Sequence, residues 1–535
     1  MKMIIICLIN ALIAVFLAGC NLSDATPVAV VIQPTTPYIQ IAQVETLVPT
    51  ELRPIPTQLL STDLPLNPTP EPTLSPYTCG VESQGENAQH EVIATIDYAA
   101  KTVQVSQSIR YTNNSDVAFP EIVLNVEANN TRGSLIIQRV SLAERDVQYG
   151  LNQKRLTIPL PTPMNPGCQA TIEFEFALNV PQIGIGISAA RGFFGYSVRQ
   201  LNLGLWLATV APRIDNGWAV HETYVYGEQT ILEEADWDVT LIVENASGDM
   251  KIAAPGEGEL LEPNRWHFIY NSARDFSISL SEDFIISRDT TANGILIELF
   301  HYGDTVRQVN GATLNGAPHA LSAAVLAAEQ YTSLFGMPNS NRIVIVQGDF
   351  PDGMEFSGLV YVSTNWFYAF EGGIQNFLTL ITVHEVAHQW WYAKVGNDAA
   401  YDPWLDEAFS TYSEYIYVEE FYPQFRQWWW SFRVAYYNPQ GNVDSTVYDF
   451  DSGRGYINAV YLRGAQMLHN IREDIGTEAF FDLLAAYAQA GNSEIATPEL
   501  FWSLLTPEQL EATAATREEF LREPDVIPEP IGGGR

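Results

Sequence analysis

Two histidines four residues apart, His384 and His388, enclose Glu385 in the stretch ITVHEVAHQWW. On a helix they stand one turn apart on one face. Imidazoles so placed bind one metal ion, and the glutamate between them can take a proton from a water at that metal. Two core histidines on a buried helix with an incidental glutamate would read the same way over this short stretch. The next segment narrows the choice. Glu407, in WLDEAF, follows His388 after eighteen intervening residues. A carboxylate there supplies a third ligand and leaves the fourth position of a tetrahedral zinc open for water, as a catalytic site requires. Two imidazoles and one carboxylate select zinc, one ion per chain. Phe377, Ile381, His384, His388 and Trp391 recur at helical spacing, which predicts a helix over 374–395 that stops at Gly396. Asp402-Pro403 reads as the N-cap and first position of a second helix carrying Glu407.

The joint pattern HExxH-x18-E, with Trp404-Leu405-Asp406-Glu407-Ala408-Phe409 around the third ligand, resembles the aminopeptidase N group of gluzincin zinc peptidases, in particular its bacterial two-domain members. The resemblance implies a general-base role for Glu385 and zinc ligation by His384, His388 and Glu407. Tyr461, in YLRGA, stands where the family's YxKGA tyrosine stabilises the oxyanion, with Arg463 replacing lysine and Tyr456 as a nearby competitor. Gly353-Met354-Glu355 resembles the core of the family's GxMEN motif, with Phe356 in place of asparagine. Glu355 would then pair with the free α-ammonium of a peptide substrate. Asp406 occupies the family's asparagine position, either orienting a ligand or standing as a plain exposed carboxylate. The implied fold is α+β and multidomain, an N-terminal all-β sandwich-like domain followed by a thermolysin-like zinc peptidase domain. The implied activity is an aminopeptidase acting on peptides. A zinc endopeptidase without a free-amine requirement is the alternative within enzymes, and an inactive zinc- or peptide-binding surface protein the alternative outside them. Retention of Glu385 and Tyr461 weighs against the last, because neither is needed to hold a metal.

The rest of the 535-residue chain reads as the support for this site. A net charge of −36 argues against nucleic acid and anionic membrane surfaces as partners. At the N-terminus an apolar run of signal-peptide proportions ends in Leu17-Ala18-Gly19-Cys20, which looks like a lipobox. This implies a signal peptide over 1–19 and a lipid on Cys20, with an ordinary secretory signal as the alternative. The expected location is the bacterial cell envelope or surface, through that lipid anchor. In an exported chain Cys79 and Cys168 are expected to pair, the alternative being two buried thiols. Residues 20–78 are rich in Pro and Thr and read as a tether. Short alternating runs fill 79–288, the β domain. Their Trp- and Tyr-rich middle offers substrate contacts that the sequence does not assign to particular residues, and no acidic DEP-type motif is present. Mixed strands and helices fill 289–522, the catalytic domain, with a tail over 523–535. The chain stops soon after its last helices, so the large C-terminal helical domain of long family members is expected to be absent.

Overall fold

Alternation dictates the architecture of the first part. Val92, Ala94 and Ile96, Val103, Val105, Gln107 and Ile109, Ile172, Phe174 and Phe176, and Val239, Leu241 and Val243 are buried, whereas the residues that alternate with them keep contact with solvent. This period of two builds a sheet with one dry and one wet face. The sheet has nine strands, ordered Glu257–Glu262, Arg265–Ala273, Ala235–Glu244, Ala88–Asp97, Thr102–Thr112, Cys168–Asn179, Leu135–Leu142 and Arg145–Asp146, with Tyr77–Cys79 beside Cys168–Asn179. Only the pairing of Ala235–Glu244 with Ala88–Asp97 is parallel. A four-stranded sheet containing Phe119–Asn125 and Arg155–Met164 lays Ile122, Leu124, Leu156 and Ile158 into the same core, making a sandwich. Cys79 and Cys168 are cross-strand partners joined by a disulfide. The computed structural model describes residues 76–80, 87–184, 191–214, 217–309 and 311–525. Cys20, the segment 1–19, most of 20–78 and the end of the tail lie outside the described residues.

The second part turns on a five-stranded sheet ordered Ile285–Thr290, Leu296–His301, Arg342–Gly348, Leu359–Ser363 and Gly353–Phe356. Its three inner strands are parallel and its two outer strands antiparallel. Gly353–Phe356 is therefore an edge strand with one free row of backbone groups. The helix Gly316–Phe335 buries Ala317, Ala320, Ala323, Ala324, Ala327 and Ala328, small side chains that let it pack closely on the helix Phe377–Ala387. Sheet and helices share one hydrophobic core that also takes in Trp404–Phe421, Gly464–Ile475 and Thr477–Ala490.

Two expected helix limits need correction. The first metal-motif helix spans Phe377–Ala387, not 374–395. Asn376 caps its start by accepting the Thr379 N–H. Its end follows from competition for carbonyls. His388 Nδ1 hydrogen-bonds the Trp391 carbonyl at 2.9 Å, and Arg274 donates to those of Tyr392 and Lys394 at 2.7 and 3.4 Å. Backbone acceptors that would continue a helix are thus held by side chains, and the apolar spacing through Trp391 reflects burial alone. The second helix begins at Trp404 with Pro403 in the cap position, and no side chain caps it. The Asp402 carbonyl, not its carboxylate, accepts the Leu405 N–H.

Arg274 joins the two parts. It is 1 % exposed, and besides Tyr392 and Lys394 it donates to the carbonyls of Leu232 and Glu494, each at 2.8 Å. Gly396 makes room for it, since a Cβ there would lie 2.3 Å from the guanidinium carbon.

Candidate active site

Both helices that carry the motif are core elements. Leu378 through Ala387 and Trp404 through Val418 are buried without a break. Polar atoms in such surroundings need partners, and here they find each other. His384 Nε2 lies 3.1 Å from His388 Nε2 and 3.2 Å from Glu407 Oε2, and His388 Nε2 lies 3.6 Å from the same oxygen. The remaining ring nitrogens fix the tautomers. His388 Nδ1 faces the Trp391 carbonyl, a pure acceptor, so it carries the hydrogen. His384 Nδ1 donates in the same way to Glu414 Oε1 at 3.1 Å. Glu414 is itself held ionised by Arg433, at 2.9 Å through both Nε and Nη2, and by the Trp429 indole at 3.2 Å. Burial pushes the Glu414 carboxyl up, and Arg433 and His384 more than offset it, so it stays below its usual range.

The consequence is that two imidazole lone pairs and a carboxylate point at one another inside the core. That arrangement is repulsive unless a cation sits between them. Without an ion, burial pulls His384 down while Glu407 and Glu414 outweigh it and hold the imidazole up at about 9, a sign that positive charge belongs there. Two neutral imidazoles and a carboxylate, each oriented by a further hydrogen bond, suit zinc. Glu407 Oε1 accepts the Tyr461 hydroxyl at 2.5 Å, and the Tyr461 ring lies parallel to that of His384 with centroids 6.0 Å apart. Tyr461 stands on a π-helical stretch, Ile457–Arg463, whose wider turn offsets it from the following helix. Tyr456 packs edge-on against Tyr461 and does not reach the ligands with a hydrogen bond.

Glu385 is 4 % exposed and its Oε2 has no hydrogen-bond partner among the described residues. Gly353 on the edge strand lets it come this close, because a Cβ there would be 1.9 Å from Glu385 Oε1. Burial raises the Glu385 carboxyl well above its usual range, and Glu355 and Glu407 raise it further. Met354 and Glu355 follow Gly353 on the strand and line the same cavity of about 330 Å³ as His384, Glu385, His388 and Glu407. Phe356 points away from it, into a cluster with Phe193 and Tyr361. Its aromatic side chain therefore serves the core and leaves Glu355 in place.

Sequence reasoning missed Glu228. It projects from the Trp- and Tyr-rich segment of the β part, and its carboxylate lies with those of Glu355 and Glu407 in a group whose oxygens are all within 4.8 Å of one another. Burial and Glu407 push Glu228 up to about 7. Gly227 before it has φ +65° and sits against the Tyr456 hydroxyl, 2.9 Å from where a Cβ would be. Gln229 after it is tied back to Tyr224. The pair Gly227-Glu228 is the only signal in the sequence, and it is a weak one. Asp406 is 2 % exposed, accepting the Glu407 N–H at 2.7 Å and touching neither histidine, so it is no plain surface carboxylate.

Comparison with known proteins bears on the fold. Residues 318–515 match the model described as "Peptidase family M1 domain". A two-domain M1 zinc metallopeptidase, solved as a variant bound to L-arginine, superposes with a TM-score of 0.59 at 14% identity, covering 84% of this chain and 97% of that one. An M1 zinc metallopeptidase from Deinococcus radiodurans gives 0.58 with the same identity and coverage. This chain has the two-domain M1 metallopeptidase fold. The M1 fold implies one zinc ion, and the His384, His388 and Glu407 donor set fits it. Among curated relatives, Aminopeptidase M1-A of Oryza sativa subsp. japonica is 26% identical over 35% of this chain and 22% of its own length. Endoplasmic reticulum aminopeptidase 1 of Homo sapiens is 26% identical over 41% and 24%, and Aminopeptidase N of Lactococcus lactis subsp. lactis 25% identical over 44% and 29%. The chain thus spans less than a third of the length of these relatives.

Proposed function

We propose that this protein is a zinc-dependent aminopeptidase that removes N-terminal residues from peptides. The observation that carries this reading is the convergence of Glu228, Glu355 and Glu407 within 4.8 Å beside the metal site. Three carboxylates crowded in a buried end of a cavity demand positive charge, and a substrate's α-ammonium supplies it. Glu228 brings the β part to that end of the cavity.

Bound zinc supplies the Lewis acidity that makes water nucleophilic near neutral pH. Glu385 Oε2, free of other partners and raised in pKa, receives the proton of the attacking water and passes it to the leaving amine. The Tyr461 hydroxyl, aligned by Glu407 Oε1, donates to the carbonyl oxygen as charge develops on it. The open edge of Gly353–Phe356 aligns the substrate backbone by strand addition. Export and anchoring through a lipid on Cys20, followed by the 20–78 tether, belong to the same reading and rest on the LAGC sequence.

Aminoacyl reporter substrates, each with and without N-acetylation, test the function. Free amines should be cleaved at least tenfold faster, and Glu228→Gln and Glu355→Gln should narrow the gap, since removing one member of a buried pair costs several kcal/mol. Equal cleavage of acetylated and free substrates would instead support the endopeptidase alternative.

A further inference from the structure

Besides its carboxylates, the zinc cavity is lined by Trp366, Phe377, Ile381 and Ile457, and by Tyr437 and Arg454. Arg454 is exposed, with its guanidinium carbon 4.3 Å from the centre of the Tyr437 ring. Among the described residues it has neither an ion-pair nor a hydrogen-bond partner, whereas Arg433, the other arginine of this wall, is fully committed to Glu414. Asp352, Glu228, Glu355, Glu385 and Glu407 line the same cavity, so apart from the metal position Arg454 is where an anion is least repelled.

Resting on the aminopeptidase reading, we infer that Arg454, held flat by Tyr437, recognises the C-terminal carboxylate of very short peptides. The substrate class is di- and tripeptides. Reach supports this. Arg454 and the metal donors line one cavity of about 330 Å³, so a ligand that spans from the metal to the guanidinium is short. An extended peptide advances about 3.4 Å per residue. The apolar walls of the cavity take the side chain of the first leaving residue, and the guanidinium fork takes the carboxylate.

The test compares tripeptides as free acids and as C-terminal amides. The readout is the ratio of kcat/KM for acid over amide, an internal ratio that cancels any general loss in a variant. Calorimetric affinity of the same pair for the Glu385→Gln enzyme gives the ratio without turnover. The wild type should prefer the acid about fivefold, the size of one partly exposed charge pair. Arg454→Ala should bring both ratios close to one, Arg454→Lys should keep part of the preference, and added salt should weaken it. A wild-type ratio of one, or a preference that survives Arg454→Ala, overturns the proposal. If zinc-loaded wild type cleaves no aminoacyl reporter, the aminopeptidase reading fails, and the binding ratio still decides the role of Arg454.

Discussion

Gly353→Ala isolates the placement of the proposed general base. The added methyl carbon would lie 1.9 Å from Glu385 Oε1 and 2.5 Å from its carboxyl carbon. To reach an ordinary contact of 3.4 Å the oxygen must move by about 1.5 Å. The backbone at Gly353 does not have a positive φ, so alanine is not strained there. The cost therefore falls on the carboxylate, the mobile end of a side chain, and hardly on stability. Misplacing a catalytic group by about 1 Å can lower a rate roughly 100-fold, or about 2.7 kcal/mol in the barrier. The variant should keep its zinc and its unfolding midpoint while kcat on aminoacyl reporters drops by about that factor, with KM little changed. Glu385→Gln should be as slow or slower. Turnover of Gly353→Ala within threefold of wild type, with zinc bound, would refute both the clash argument and the role given to Glu385.

Further outcomes follow from the supports of the site. Arg433→Met frees Glu414 from its strongest partner, and zinc affinity measured by chelator competition should fall about 10- to 100-fold. Tyr461→Phe should retain zinc and lose about 100-fold in kcat, whereas Tyr456→Phe should not show that loss, and the reverse pattern would transfer the oxyanion role to Tyr456. His90 tests a buried group far from the metal. It is 2 % exposed, stacked 4.1 Å from Trp237, and accepts a hydrogen bond from Gln107 Nε2 at its Nδ1. The Gln107 amide is oriented by the Ala208 backbone, which it contacts through both its oxygen and its nitrogen. Burial pulls this imidazole from 6.5 down to about 3. The folded state refuses a proton that the unfolded chain takes up, so stability is full above about pH 6.5 and declines toward pH 3, by about 1.4 kcal/mol per pH unit. Urea unfolding at about pH 7.5 and about pH 5.5, followed by tryptophan fluorescence, should show this loss in wild type and a smaller one in His90→Gln. Parallel losses in both proteins would argue against it.

The clustering of His384, His388 and Glu407 was legible because its information is local. Four residues set His384 against His388, and eighteen intervening residues bring Glu407 back on a second helix. The Gly353-Met354-Glu355 strand was legible through its likeness to a motif, and the alternating runs gave the sandwich. What escaped depends on tertiary contacts. Glu228 reaches the site from an irregular loop held by Gln229 and seated on Tyr456, and no spacing rule connects it to Glu407. The Arg433–Glu414–His384 chain links a π-helical stretch to two helices. The zinc helix was read too long because Trp390 and Trp391 continue its apolar rhythm while Arg274 and His388 draw the carbonyls beyond it elsewhere.

Arg274 also bears on how the enzyme moves. Its donors hold carbonyls of Leu232 in the β part, Tyr392 and Lys394 behind the zinc helix, and Glu494 near the last helices. Any hinge at this junction would strip a buried cation of several hydrogen bonds at once, a cost of several kcal/mol that thermal fluctuation seldom meets. The junction between the β part and the zinc part is thus pinned at this point. A loosened Arg274→Lys enzyme would trade that rigidity for breathing, which hydrogen exchange at 392–396 would register.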